Sequence, residues 1–359
     1  MNPEQQSVPL PGQLLLPGMP PAPDVAEDGV IPGLALPCSA LPGLDGPGLH
    51  RLRADDPELA AVAAALAALD PDGTLMARAI RRAFDMLLDG QHTGRYRWDQ
   101  LHKTEKTHAG TLVEINLQRA LKLPDGTTLD YTIAGADVDC KFSQKMGGWM
   151  IPPEAVGRLL LLVRASDDEG TWSAGLVRAV EGRLRPGGNR DSKRALNDEG
   201  RSSVLWLHAR APLAENALLR LNERAVVSVF APASGQQRVN ELFRRALGMR
   251  VSRTVVATVA MQDDYMKRVR DGGGARDQLR AEGIVIFGDY AGDQALAVAL
   301  GLPRPGPGEF VSARLIRLRD GASTLGELRA DARFVRLDGA DWALASPGDQ
   351  VEPAPTLPR

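Results

Sequence analysis

An α/β fold is predicted for this 359-residue chain, and three observations predict it. Residues 56–88 contain two aliphatic-rich segments with helical start and stop signals. Residues 127–143 contain two runs rich in β-branched and aromatic types around Ala134-Gly135-Ala136. Residues 159–163 and 172–180 are apolar and of strand length. Strands in the middle of the order with helices around them point to an α/β sandwich, a sheet covered by helices.

The elements follow in order. Residues 1–52 hold 11 of the chain's 26 prolines together with many glycines, which interrupt helix and strand alike, so this tail is predicted to be disordered. The alternative is that the true start lies downstream. A globular body begins near Asp55. Asp56-Pro57 supplies an N-cap and a first-turn proline for a helix over Glu58–Leu69. Asp70-Pro71-Asp72-Gly73 reads as a turn, and a second helix runs from Thr74 to Leu88. A third helical stretch covers Thr111–Leu121, between Gly110 and a Pro124-Asp125-Gly126 turn. Two antiparallel strands, 127–133 and 137–143, come next, then strands over Leu159–Val163 and Trp172–Val180.

Residues 207–216 read as a connector. Beyond it, Gln236–Leu247 places Val239, Leu242, Phe243 and Ala246 at helical spacing, and Gly248 ends the helix. Ser252 caps a helix reaching Met261, and Asp263-Asp264 is placed to cap a third, Tyr265–Asp271. Ile284–Phe287 reads as a buried strand.

Composition bounds the function. Two cysteines, Cys38 and Cys140, provide neither a disulfide framework nor a zinc ligand set, and a reduced cytoplasm is the expected compartment. There is no apolar run long enough to span a membrane and no signal-peptide pattern, so no membrane partner is expected. The formal net charge is −2. Residues 1–52 carry five acids against Arg51 alone, which leaves the body near neutral. Nucleic-acid binding would therefore rest on locally clustered cations, since the phosphate term depends on charge at the contact surface.

The most informative residues are Glu114, Asp130, Asp139 and Lys141. Side chains alternate along a strand, so Asp137, Asp139 and Lys141 share one face of their strand, with Val138, Cys140 and Phe142 on the other. Asp130 is brought alongside by the hairpin, and Glu114 projects from the preceding helix. Carboxylates of this kind suit Mg²⁺, a hard ion that binds one or two protein carboxylates plus substrate phosphate and water. Such an ion activates water and offsets charge on a phosphodiester, and a lysine beside it supplies a further cation. Asp130 and Asp139 are the expected direct ligands, Glu114 a direct or water-mediated one, and Lys141 the group that orients the water. Asp137 is read as a supporting or solvated residue. The second Asp-x-Lys, Asp191-Ser192-Lys193, lies in a polar segment without strand alternation and reads as a solvated helix face. On spacing alone the Asp139 constellation admits two readings, a phosphodiesterase site and a charged hairpin edge.

Lys267, Arg268, Arg270 and Arg276 surround Gly272-Gly273-Gly274 at the end of the three short helices. A basic helix followed by glycine lets backbone approach phosphates; solvated helix-face charges are the equal alternative. His102 and His108 lack zinc-type partners and read as polar loop residues. Leu87-Leu88-Asp89-Gly90 matches the Lys-x-Asp-Gly motif of DNA ligases except that leucine replaces the nucleophilic lysine, which removes covalent adenylation. A DNA-binding regulator without catalysis is the other rival, and it leaves the four site residues unexplained.

The runs Trp98–Leu117, Ile133–Ser143, Trp149–Glu154, Arg238–Arg245 and Gln262–Arg270 resemble the NaeI family of restriction endonucleases. The likeness spans about residues 55 to 355, and Glu114, Asp130, Asp139 and Lys141 match the family's metal-site motif in residue type. The resemblance implies a restriction-endonuclease-like catalytic domain over 53–206, a linker at 207–215 and a second DNA-binding domain over 216–359. The latter is expected to carry a catabolite-activator-like helix-turn-helix. It further implies a homodimer that cleaves both strands of DNA at a GC-rich palindrome with Mg²⁺, stimulated when a second copy of the site is bound.

Overall fold

The computed structural model describes residues 55–318 and 333–358. The expectations for the tail and for Cys38 lie outside these residues. The described chain divides into two compact units. Of the described residues, one is built from 55–87 and 101–214, the other from 88–100, 215–318 and 333–358.

The first unit begins with α1 (Pro57–Leu69). Asp56 caps it, accepting from the Leu59 amide at 3.0 Å, and the same carboxylate receives two 2.7 Å hydrogen bonds from Arg178. Asp70 then turns the chain: buried, it accepts from the amides of Leu75 and Met76 and so caps α2 (Thr74–Leu88). The inward face of α2 buries Met76, Ile80, Ala83, Phe84 and Leu87.

A short helix α3 (Gly90–Thr93) belongs to the second unit. The next helix, α4, runs over Lys103–Leu121. It starts eight residues before the expected Thr111. Gly110 is no boundary but lies mid-helix, where its cost of about 1 kcal/mol relative to alanine is outweighed by burial of Ala109, Val113, Leu117 and Leu121 along one ridge. His102 precedes α4, and His108 is an exposed helical residue, not a loop one.

The strands are β1 (Tyr131–Ile133), β2 (Ala136–Ser143), β3 (Leu159–Ser166), β4 (Thr171–Arg178) and β5 (Leu205–Pro212), with α5 (Asp198–Ser202) before β5. They form one sheet in sequence order, antiparallel throughout except that β2 runs parallel to β3. The leucine-rich β3 is buried over all but its last residue, which makes it the centre of the unit. The β1–β2 hairpin turns on Ala134 and Gly135, both at positive φ, a two-residue connection whose twist suits the strands.

Three expectations are corrected here. The strand predicted over 127–133 is confined to Tyr131–Ile133, because the amides of Thr127, Thr128 and Leu129 bond to the Asp137 carboxylate and not to a neighbouring strand. Residues 207–212 are strand rather than connector, since Leu207, His208 and Ala209 are buried against the sheet. Asp191-Ser192-Lys193 is a turn, not a helix face, closed by the Asn189 side chain accepting from the amides of Asp191 and Lys193.

The second unit contains α6 (Ala217–Arg220), α7 (Glu223–Phe230), α8 (Gly235–Arg245), β6 (Arg250–Ser252), α9 (Arg253–Ala260), α10 (Ala275–Gln278), β7 (Ile284–Phe287), α11 (Ala291–Ala299), β8 (Glu309–Leu318), β9 (Phe334–Leu337) and β10 (Ala340–Leu344). Its sheet has the order β6-β8-β10-β9, with β7 also paired to β8. Ser252 caps α9 as expected. The helix expected over Tyr265–Asp271 is instead a 3₁₀ turn over Tyr265–Arg268, and the Asp264 side chain does not cap it.

Residues 88–100 enter this unit although their neighbours in sequence belong to the other. Tyr96 stacks on Phe230 and its carbonyl accepts from Asn216; Gly90 lies so close to Thr258 that a side-chain carbon there would collide with the hydroxyl. The glycine of the Leu-Leu-Asp-Gly run thus has a packing role.

Candidate active site

The hairpin and α4 assemble the site. Asp139 and Lys141 are two residues apart on β2, so their side chains leave the same face. Lys141 Nζ lies 2.7 Å from Asp139 Oδ1 and 3.9 Å from Asp130 Oδ2, and it also donates to the Cys140 carbonyl at 3.0 Å. Asp130, the residue before β1, is pinned by the Cys140 amide, which donates to its Oδ2 at 2.6 Å.

Glu114 lies on α4, half-buried. Its backbone is tied to the hairpin by the Tyr131 hydroxyl, which donates to the Glu114 carbonyl at 2.8 Å. Burial raises the pKa of its carboxyl, and the charges of Asp130 and Asp139 add to the rise while Lys141 opposes it. The Glu114 side chain makes no hydrogen bond or ion pair with the other three among the described residues, so the Tyr131 bond to its backbone is the link between α4 and the hairpin. The structure brings Asp130, Asp139 and Lys141 together and does not gather Glu114 with them into a three-carboxylate group.

The electrostatics are those of a site with excess negative charge. Asp139 is 4% exposed. Burial pushes its pKa up to about 6, with Asp130 adding to the effect and Lys141 holding it down. Burial also works against the Lys141 ammonium, yet the hold of Asp139 and Asp130 leaves its pKa above the ordinary lysine value. The rise at Asp139 has a structural cause: its Oδ2 is buried and finds no hydrogen-bond partner among the described residues. Behind this layer, burial raises the Cys140 thiol to about 12, so it is an inert packing group.

An unpartnered, buried carboxylate oxygen next to a second carboxylate fits a divalent cation. Among the described residues no three His, Cys, Asp or Glu side chains already surround one metal position. The expected third ligand, Glu114, is thus not gathered with Asp130 and Asp139, and that pair alone is on hand for an ion that would take its other ligands from water and phosphate. Residue-type reasoning singled out the four side chains but not the Cys140 amide and the Tyr131 hydroxyl, which hold Asp130 and the Glu114 backbone. A backbone donor carries no residue-type signal, and a tyrosine on a strand is equally a core residue.

The basic residues of the second unit are dispersed. Lys267 and Arg270 are exposed. Arg268 is engaged by Gln262 and Asp264 at 2.9 and 3.0 Å. Arg276 is only 8% exposed and lies 3.5 Å from the fully buried Asp293. The amides of Gly272 and Gly273 are taken by the Asp277 carboxylate at 2.5 and 2.6 Å, and so do not face outward as the glycine run suggested.

A mixed α/β unit that presents Asp130, Asp139 and Lys141 together on a hairpin is of a kind that suits phosphodiester chemistry. Comparison with known proteins gives the family. The family model described as restriction endonuclease NaeI matches residues 60–353. The type II restriction enzyme NaeI of Lentzea aerocolonigenes is 48% identical over 311 residues, covering 85% of this chain and 95% of that protein. The chain belongs to the NaeI restriction endonuclease family and is a type II restriction enzyme. Among the described residues no single helix is long and apolar enough to cross a membrane.

Proposed function

We propose that this chain is the cytoplasmic nuclease of a restriction system, a homodimer that makes Mg²⁺-dependent double-strand cuts at a GC-rich palindrome and is stimulated by a second DNA site. The observation that carries the reading is the pairing of Lys141 with Asp139 beside Asp130, with one Asp139 oxygen buried and unpartnered. Asp130 and Asp139 would hold the ion, and Glu114 would join directly or through water. Bound there, Mg²⁺ supplies Lewis-acid activation of water and neutralises charge on the scissile phosphate.

The side chains do the rest. The Lys141 ammonium, fixed by Asp139 and the Cys140 carbonyl, points a donor at the attacking water and stabilises negative charge as it develops. The Cys140 amide and Tyr131 hydroxyl keep Asp130 and α4 in register with β2.

For the second unit the reading is a DNA-binding effector domain with a catabolite-activator-like helix-turn-helix among its short helices. The exposed Lys267 and Arg270 are its strongest candidates for phosphate contact. Arg276, beside the buried Asp293, and Arg268, bonded to Asp264, would need to exchange partners to take part, while Lys267 has only a looser 3.9 Å pairing with Asp264.

Digestion of a mapped plasmid with Mg²⁺, with and without a site-bearing oligonucleotide, tests this. Discrete double-strand cuts that need the metal and accelerate with the oligonucleotide are expected. Asp139→Ala should abolish cleavage and leave DNA binding largely intact; full activity in that variant removes the assignment.

A further inference from the structure

Asp137 does more than decorate the hairpin. Its Oδ1 accepts from the Thr127 amide at 2.9 Å, and its Oδ2 accepts from the amides of Thr128 and Leu129 at 3.0 and 3.2 Å. Three consecutive N–H groups closing on one carboxylate form an anion nest made by the chain for its own side chain. The nest ends at Leu129, the residue immediately before Asp130.

Asp130 is therefore gripped from both sides by one strand. Asp137 fixes the backbone leading into it, and the Cys140 amide fixes its carboxylate. Asp139, the other expected ligand, lies between the two clamps on β2. The distance between Asp130 and Asp139 is thus set by a single rigid element. Gly126 shows how closely the turn is drawn in: a side-chain carbon there would lie 2.5 Å from Asp137 Oδ1 and would also run into the Leu129 carbonyl.

We propose that Asp137 is a positioning residue that holds the 126–129 turn on β2 so that the Asp130 carboxylate is presented to the metal at a set distance from Asp139. The inference rests on the metal-site reading above and deepens it. Thr127 and Thr128 are exposed, so their amides would turn to water if the carboxylate were lost. The consequence is a looser ligand, not an unfolded sheet.

The test is Mn²⁺ binding to the full chain without DNA, followed by calorimetry, with thermal unfolding and the Mg²⁺ dependence of plasmid cleavage alongside. Loss of a group that orients a metal ligand typically lowers affinity about 10- to 100-fold. Asp137→Ala is expected to weaken Mn²⁺ by that factor, with a small change in Tm and a cleavage rate recovered at high Mg²⁺. Asp137→Asn keeps one acceptor oxygen and should fall between it and the parent. Asp137→Asn, which preserves the side-chain shape, also covers the case in which Asp137→Ala does not fold.

Parental Mn²⁺ affinity in a folded Asp137→Ala or Asp137→Asn protein overturns the proposal. Asp139→Ala separates the two readings. If that variant still binds Mn²⁺ and cuts, the metal site itself is misplaced. If it does neither while the Asp137 variants match the parent, only the positioning role fails.

Discussion

The Lys141 ammonium lies 2.7 Å from Asp139 and 3.9 Å from Asp130, so one cation serves carboxylates from both arms of a hairpin. It offsets charge that burial would otherwise force to protonate, and it presents a donor where a phosphodiester would be attacked. Both duties need a positive charge at that point.

Lys141→Met should therefore lower the cleavage rate by about 10²- to 10³-fold, the usual loss when one preorganised stabilising donor is removed, while specific DNA binding persists. Single-turnover cleavage and a gel-shift assay without divalent metal measure the two effects. A rate within a few-fold of the parent would show that another group orients the water.

Lys267 and Arg270 are exposed on and just beyond the 3₁₀ turn of the second unit, whereas Arg268 is tied to Asp264. Replacing Lys267 and Arg270 together by alanine should blunt stimulation by a second DNA site. It should also reduce the salt dependence of DNA binding by roughly two phosphate contacts. Two-site kinetics identical to the parent, with an unchanged salt slope, would place the regulatory contact elsewhere.

His208 on β5 supplies a pH dependence. It is buried against Trp172, with ring centroids 5.0 Å apart, and burial depresses its pKa although Asp70 and Asp72 pull the other way. A histidine whose folded pKa is below its unfolded value of about 6.5 binds fewer protons when folded. Its contribution is fully present above that value and is lost as pH falls through 6.5 towards the folded pKa. Denaturant unfolding at pH 7.5 and 5.5 should show the parent losing more stability than His208→Gln; equal losses would assign the acid sensitivity to other groups.

Gly90 and Thr258 are more than 160 residues apart in sequence yet in contact, and an added carbon at Gly90 would collide with the Thr258 hydroxyl. Gly90→Ala should cost about 1–3 kcal/mol, as overpacking of a close contact does. Thr258→Ala in the same chain should recover part of it. A double-mutant cycle with no coupling between the two positions would contradict the placement of residues 88–100 in the second unit.

Much of the fold was legible because it is written in local chemistry. The Asp56 and Ser252 caps, a short hairpin connection near Ala134-Gly135 (one residue shorter than expected, since Ala136 is already strand) and the Ile284–Phe287 strand each depend on a few neighbouring residues. The misreadings have two causes. Gly110 looked like a helix end and residues 207–212 like a connector because burial against the rest of the unit outweighs those weak local signals. The Asp264 side chain, by contrast, is drawn from its capping role by Arg268, and the 191–193 turn is closed by Asn189. The site followed the same division. Asp139 and Lys141 could be paired from strand alternation, but the roles of Asp137 and the Cys140 amide depend on which way backbone N–H groups point.

The amino-acid order by itself determined which side chains can do chemistry here, the α/β class and the family, since residue type, periodicity and motif are properties of the string. Only the tertiary structure decided that Arg276 is buried against Asp293, that the glycine amides at 272–273 close on Asp277, and that residues 88–100 join the second unit. It alone showed one Asp139 oxygen left without a partner. Burial and hydrogen-bond satisfaction are sums over groups far apart in the chain, so they are set when the elements pack and not before.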